Sequence, residues 1–541
     1  MKKIKSKVNW KRKTPQSSRK WLPALALVLV LLAGGLFLSW DMEKGTWNSG
    51  EGLWKGILGG GDLITGADVS VTDFGTSGDA NSTSCGNVTG SLTLTANVST
   101  TTTCFTINTS NIVLDCAGFT ISGDGGSTDY GVFNSVGYDN ITITNCIIDN
   151  FGDGIYSYND AYDQIIQNNT LTNLTIGIKF SLNFQGTANG TIKNNTFTLP
   201  KSSLSYAILG DINTNILNNT FLGDYSIGGI NVNDDNRIWG NYFWGNDGIS
   251  GSGNSSLCVN GFGNFYNGSV AFAQVPAADC GPTPNQTISV NQSLAAHSFT
   301  FGESGATYVD LRTAVYNTWN GTNNTIYLLE NHNTTYSQSS VAVHFMRGGL
   351  TVDCRGYTFS DTTASSTISG FSTYGFNDIT IRNCNISNFD EWIIITGSLR
   401  TTIINNTFEA GGENDGIVFS NGDNSIIANN TFTGDLTSYA INLESTSNNN
   451  SIWQNQFWGN DGIDEAGTNT SLCVNSIGNF YNASVAVSVS GGPDQIPPND
   501  CGPTPNGTVY VNQSTSISFT WGGTSATYPD LRTAVYNTWN G

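Results

Sequence analysis

Through most of the chain, apolar residues come in short runs of Ile, Val, Leu and Phe mixed with Thr, and each run is broken by Asn, Gly or Asp. The breaks are periodic. Triplets of the Asn-Thr-Phe kind stand at Asn145-Cys146-Ile147, Asn169-Thr170-Leu171, Asn195-Thr196-Phe197, Asn219-Thr220-Phe221 and Asn241-Tyr242-Phe243, spaced 24, 26, 24 and 22 residues apart. A second series at Asn383-Cys384, Asn406-Thr407-Phe408, Asn430-Thr431-Phe432 and Asn455-Gln456-Phe457 is spaced 23, 24 and 25. A period in the low twenties holds a few short strands and their turns and leaves no room for a helix. Stacked in register about 4.8 Å apart, such coils pile like on like. Phe197, Phe221 and Phe243 are then an interior aromatic stack, and Asn169, Asn195 and Asn219 a ladder at a turn, where Asn tolerates left-handed backbone. The predicted fold is all-β, a right-handed parallel β-helix.

Over this runs a longer duplication. FWGNDGI at Phe243 returns at Phe457, SLCVN at Ser256 at Ser471, CGPTPNQTISVNQS at Cys280 as CGPTPNGTVYVNQS at Cys501, and DLRTAVYNTWNG at Asp310 at Asp530. A solenoid needs its open ends covered. Leu311, Ala314, Val315 and Thr318 or Trp319 lie at helical spacing with Asp310 as N-cap, so this segment reads as a capping helix that opens a second β-helix. The implied boundaries are a first module at 76–279, a second at 280–500 and the start of a third at 501–541, which breaks off where its strand would begin.

All ten cysteines lie after residue 84, and coil geometry pairs them. Cys116 and Cys146 are thirty residues apart, as are Cys354 and Cys384. Equivalent positions of neighbouring coils fall within disulfide reach. Cys258 with Cys280 and Cys473 with Cys501 close the module ends, which leaves Cys85 with Cys104. Zinc is the rival reading, but there is no CxxC and only three histidines, His297, His332 and His344. No metal site is expected, apart from a loose Ca²⁺ at the Asp234-Asp235 and Asn460-Asp461 turns.

Charge divides the chain. Residues 1–56 carry eleven Lys or Arg and three acids, and the remainder carries ten and thirty-eight. A body this acidic repels nucleic acid, so no nucleic-acid partner is expected. Residues 1–20 are strongly basic and would stay cytoplasmic, while Trp21–Trp40 has no charge in twenty residues, enough to span a bilayer as a single-pass helix. A cleaved signal peptide is the alternative, though its apolar core would be shorter and end at a small residue. A linker at 41–75 then leads to an extracellular body, consistent with paired cysteines.

The coils IINNTF, IKNNTF, ILNNTF and IANNTF, with LDCAGFTI and DNITITNC, resemble the CASH/NosD-type β-helix repeats of archaeal and bacterial surface proteins, over roughly residues 100–250 and 325–460. The resemblance implies the fold strongly and function weakly, because the same fold houses pectate lyases, polygalacturonases and uronate epimerases. Catalysis of that kind would draw on acidic residues with a nearby base. The acids include Asp153, Asp160, Asp163, Asp211, Asp224, Asp234, Asp235, Asp247, Asp390, Glu391, Asp415, Asp423 and Asp461. Bases are few: Lys179, Lys193, Lys201 and Arg237, then Arg347, Arg355, Arg382 and Arg400. Each Asp reads first as a turn residue or a solvated charge, and no catalytic residue is assigned. Trp239, Trp244, Trp453 and Trp458 sit at the last coil of each module, where closing the end is the plain role and glycan stacking by Trp244 and Trp458 the sharper one. About two dozen N-x-S/T sequons offer glycosylation candidates, among them Asn81, Asn87, Asn140, Asn194, Asn218, Asn267, Asn320, Asn405 and Asn429. Together these features predict a membrane-anchored surface glycoprotein for adhesion, glycan recognition or contact with other surface proteins, without catalysis. The alternative is a polysaccharide lyase, hydrolase or epimerase, and a surface-layer lattice component would differ only in self-assembly.

Overall fold

The computed structural model describes residues 38–41, 46–49 and 80–538, apart from segments at 159–160, 181–188, 199–204, 211–212, 226, 234, 284–286, 304, 319–323, 335–339, 363–367, 410–414, 460, 487–494 and 505–506. The basic segment 1–20, most of the expected span 21–40 and most of the linker lie outside the described residues. The end of that span is extended rather than helical: Leu38–Asp41 pairs antiparallel with Thr46–Ser49. No helix among the described residues is long and apolar enough to cross a membrane. The chain divides into Met1–Thr76 and Ser77–Gly541, and the solenoid occupies the second unit.

There the short runs become three strands per coil. Three eight-stranded sheets run side by side, sheet A from Ala80–Ser82 to Arg237–Trp239, sheet B from Gly86–Val88 to Ile249–Gly251 and sheet C from Val98–Ser99 to Phe265–Tyr266. A second set comes after it, with nine strands in A′ (the last Ser451–Trp453), six in B′ (Val341–His344 to Ile463–Glu465) and seven in C′ (His332–Thr334 to Phe480–Tyr481). Three further strands lie within Thr508–Tyr528. Pairing from coil to coil is parallel, giving a β-solenoid of about 14 turns.

Alternation along each strand fills the bore. Leu114, Ile143, Ile166, Ile192, Ile216 and Ile238 face it from sheet A, and Ile121, Ile148, Leu171, Phe197, Phe221 and Phe243 from sheet C, all nearly or fully buried. The expected aromatic stack is present: ring centroids of Phe197 and Phe221 are 4.9 Å apart, those of Phe221 and Phe243 4.6 Å, and Tyr266 continues the column at 5.0 Å. Phe408, Phe432, Phe457 and Tyr481 repeat it at 5.0, 4.9 and 5.1 Å. Opposite the rings sheet B carries small residues, Gly131, Gly154, Gly177, Ala207 and Gly229. A Cβ on Gly177 would stand 2.6 Å from the Ala207 carbonyl and 2.8 Å from the Phe197 ring. The glycines narrow one wall so that the other can hold phenylalanine.

The Asn ladder joins sheet A to sheet C. Asn195 Oδ1 accepts from both the backbone N–H and the side-chain amide of Asn169, each at 3.0 Å, while its own amide donates to the Ile166 carbonyl at 2.9 Å. Asn219, Asn241 and Asn264 repeat the pattern. The last rung needs only acceptors, and a carboxylate supplies them: Asp279 accepts from Asn264 twice, at 3.0 and 2.7 Å, from Tyr266 Oη at 2.8 Å and from Gly281 N–H at 2.9 Å. Asp500 closes the second ladder in the same way, on Asn479, Tyr481 and Gly502.

The expected capping helix is α1, Leu311–Tyr316, with Asp310 accepting from Thr313 N–H at 2.7 Å. It lies where the two strand sets meet: Leu311, Ala314 and Val315 enter the second core, and Asn317 exchanges hydrogen bonds with the backbone of Tyr266 in the first. Its copy α2, Leu531–Tyr536, bonds likewise to Tyr481 through Asn537 but leaves Leu531 and Val535 exposed. All five disulfides join as the spacing predicts, Cys85–Cys104, Cys116–Cys146, Cys258–Cys280, Cys354–Cys384 and Cys473–Cys501, with Cα separations of 4.7 to 5.5 Å.

Two substitutions test this packing by thermal denaturation. Asn195→Ala leaves two donors of Asn169 without an acceptor in the core and should cost about 3 kcal/mol. Gly177→Val drives a branched side chain into Phe197 and the next coil and should cost at least as much, about 3 kcal/mol or more, whereas Asn194→Ala, one residue outside the ladder, should cost far less.

Candidate functional site

The outward face of sheet B in the first set holds a side-chain cluster that has no counterpart among the described residues of the second. Register places Phe133 beside Tyr156 and Tyr156 beside Lys179, and places Tyr130 beside Asp153. The Tyr130 and Phe133 rings stack at 4.6 Å, Tyr156 lies 5.2 and 5.5 Å from them, and Tyr158 meets Tyr156 edge-on at 5.9 Å. Lys179 Nζ sits 4.7 Å above the Tyr156 ring and 3.1 Å from Asp153 Oδ2. In B′ the corresponding column reads Ser372, Ile394, Val418, Asn442 and Asp464.

The electrostatics follow from this packing. Burial raises the Asp153 carboxyl above its usual range, against the pull of Lys179, and burial with the Asp153 charge raises the Tyr130 phenol. Asp153 is a strand residue with a nearly buried side chain, not the turn or solvated residue that composition suggested. The result is an aromatic platform with one ammonium held at its edge, a surface suited to the apolar face and hydroxyls of a sugar. The Asn-Thr-Phe period does not single out Tyr130, Phe133 and Tyr156; the signal that could have found them is an outward aromatic at the same place in successive coils.

The other sequence candidates scatter. Trp244 is partly buried and packed against Phe265 at 4.9 Å and His297 at 5.6 Å, which makes it part of the junction. Trp458 packs on Phe480 at 5.0 Å but stays 36% exposed, the more accessible of the two. Of the glycosylation candidates, Asn194, Asn218, Asn405 and Asn429 form the outer row of the turn whose inner row is the ladder. All four are exposed, with φ of 55 to 58°. Asn87 and Asn140 are exposed as well, and Asn267 is half-buried with its amide on the Trp244 carbonyl. Asn320 and the side chain of Asn81 lie outside the described residues, as do Asp160, Lys201, Asp211, Asp234 and Asn460.

Asp247 and Asp461 are equivalent residues of the duplicated FWGNDGI segment, and both are buried, which corrects the expectation of solvated turns. Burial and the Asp224 charge raise Asp247 to about 7. Burial raises Asp461 to about 7 despite a hydrogen bond from Leu436 N–H, with Asp435 and Asp415 adding to it. In each case the unfolded chain releases its proton first, near the ordinary value of 3.8, so stability falls as pH rises from there through about 7. Denaturation midpoints should therefore be lower at about pH 8 than at about pH 5. With solvent screening reducing the effect, the double variant Asp247→Asn, Asp461→Asn should recover on the order of 1 kcal/mol of the difference.

Residues 288–493 match the family model described as "Periplasmic copper-binding protein (NosD)". The side chains present do not suit copper: all ten cysteines are in disulfides, and among the described residues no three His, Cys, Asp or Glu side chains gather as a metal site. His297 Nδ1 accepts from Val309 N–H, and His332 and His344 stack on Phe359 and Phe272. No curated protein matches the chain. Among solved structures, the A-module of the Azotobacter vinelandii mannuronan C-5 epimerase AlgE6 aligns at 12% identity and a TM-score of 0.21, over 73% of this chain and 90% of that one. Parallel coil-to-coil pairing, two buried Asn ladders and the family match over residues 288–493 make the chain a right-handed parallel β-helix repeat protein.

Proposed function

We propose that this is an exported surface protein whose β-helical body recognises glycans without cleaving them, anchored in the membrane through residues 21–40. The platform of Tyr130, Phe133 and Tyr156 carries this reading, because it offers stacking area while its one ammonium is already engaged by Asp153. Five disulfides, an acidic body and many sequons support an extracellular setting, as does the periplasmic label of the matching family. The platform lies on the outward face of the solenoid, and the exposed Asn row beside the ladder is where glycans of its own would attach.

The second reading, a polysaccharide lyase, hydrolase or epimerase, draws on the same residues. Asp153 with a raised carboxyl pKa beside the Tyr130 phenol is a pair able to exchange a proton. One screen separates the two. The exported body is offered neutral and acidic polysaccharides, with and without Ca²⁺, and scored for retention and for new reducing or unsaturated ends. Retention that falls at least about tenfold in Tyr156→Ala, with no new ends, is the expected result. Chain cleavage abolished by Asp153→Asn would replace the binding role with an enzymatic one.

A further inference from the structure

The outer turn between sheets A′ and C′ carries an open groove of about 450 Å³ lined by Arg355, Gly356, Asn383, Asn385 and Asn405. It lies on a different set of coils and a different face from the aromatic platform. The internal duplication supplies its control, because LDCAGFTI of the first set corresponds to VDCRGYTF of the second. Both turns are built alike. Asp115 Oδ1 accepts from Ala117 N–H at 2.8 Å and from the Asn145 amide at 3.0 Å, and Asp353 Oδ1 accepts from Arg355 N–H at 3.0 Å and the Asn383 amide at 2.9 Å. Ala117 and Arg355 share the left-handed backbone, φ 49° and 54°. The turn itself therefore has no need of an arginine.

What differs is the chemistry placed on it. Ala117, Phe119, Thr144 and Ile147 of the first set are replaced by Arg355, Tyr357, Arg382 and Asn385, and Thr93, register partner of Asp115, by Tyr327. These changes act together. Arg382 Nε binds Asp353 Oδ2 at 3.0 Å, so Asp353 is held as an anion by Asn383 and Arg382 and its usual pKa is lowered in spite of burial. With that carboxylate engaged, Arg355 makes no ion pair or hydrogen bond through its guanidinium among the described residues. Instead the group lies 3.9 Å above the centre of the Tyr327 ring, which fixes it over the sheet and leaves its N–H edge unused. Around it, Asn385 donates to the Gly356 carbonyl at 3.0 Å and Asn405 accepts from Asn429, so the amides are oriented while keeping free donor or acceptor capacity.

We propose that this groove binds an anionic sugar unit of uronate type, its carboxylate on the Arg355 guanidinium and its hydroxyls on the amides of Asn383, Asn385 and Asn405. A ring-backed guanidinium is a planar fork for a carboxylate, and carboxamides both donate to and accept from hydroxyls. In a body of strong negative charge the local cation selects for a single acidic unit or chain end over a long polyanion. This groove and the aromatic platform have in common only that both would meet glycans.

The test is a titration of the intact protein with short oligogalacturonate, a sulfated oligosaccharide and a neutral oligomer, run on the wild type, Arg355→Ala, Arg355→Lys and Tyr156→Ala. Arg355→Ala installs the residue that already occupies the equivalent turn, so its melting temperature should match the wild type. It should weaken oligogalacturonate binding at least about tenfold and leave the neutral oligomer unaffected, with Arg355→Lys in between. Equal loss on the sulfated probe assigns the site to oxyanions in general and overturns the uronate preference. Oligogalacturonate binding that survives Arg355→Ala but is lost in Tyr156→Ala, or no binding by the wild type, overturns the groove. Loss in Arg355→Ala with Tyr156→Ala unaffected is the expected result and keeps the groove, while the platform is decided separately by whether Tyr156→Ala weakens retention of the neutral oligomer.

Discussion

One buried carboxamide per coil carries the architecture. Each ladder Asn must turn the chain from one sheet to the next inside the bore, where unpaired amides are costly, and each meets that cost by bonding to the Asn of the neighbouring coil and to a carbonyl of the preceding one. The column satisfies itself only if every member is present and the last is an acceptor. That is why a carboxylate, Asp279 or Asp500, stands where a further Asn would donate to nothing. Burial raises the carboxyls of both, Asp500 to about 6, while the hydrogen bonds they accept work in the opposite direction.

The ladder also determines how the two coil sets join. Tyr266 ends the aromatic stack, bonds to Asp279 through its hydroxyl and to Asn317 of the α1 cap through its backbone. Arg347, fully buried and drawn from the second set, places positive charge near Asp279, Tyr266 and Tyr308. One junction thus closes a hydrogen-bonded column, continues an aromatic one and seats a helix. α2 repeats the helix and its Asn537 contact to Tyr481, with Leu531 and Val535 exposed where Leu311 and Val315 of α1 are buried.

Because ladder and bore positions are committed to packing, chemistry can vary only on outward positions of the strands and turns. Sheet B uses them in the first set for a stacked aromatic face, and the A′–C′ turn uses them in the second for Arg355 and its neighbours. Duplication makes these departures visible: Ser372, Ile394 and Val418 stand where the first set has Phe133, Tyr156 and Lys179, and Ala117 stands where the second has Arg355. A solenoid built from similar coils thereby becomes asymmetric in the chemistry that its outward faces display.

The fold was legible in the sequence because its determinants are periodic and local. Spacing alone placed Phe197, Phe221 and Phe243 in one column, Asn169, Asn195 and Asn219 in another, and the ten cysteines in their five pairs, since stacking in register converts a sequence period into spatial contact. Asp310 likewise marked α1 through its capping position. Other features depended on which coils became neighbours and on side-chain direction. Asp153, read as a turn residue, became the buried partner of a lysine on the next strand of its sheet. Asp247 and Asp461, read as solvated, became buried carboxyls, and the charges of Asp279 and Arg347 came to influence each other across the junction although 68 positions apart in sequence. The sequence by itself thus determined the coil, its columns and its covalent staples, because each follows from residue type and period. Only the tertiary structure decided which charges are buried and which cations meet a carboxylate, because those depend on side-chain direction and depth that a sequence period does not specify.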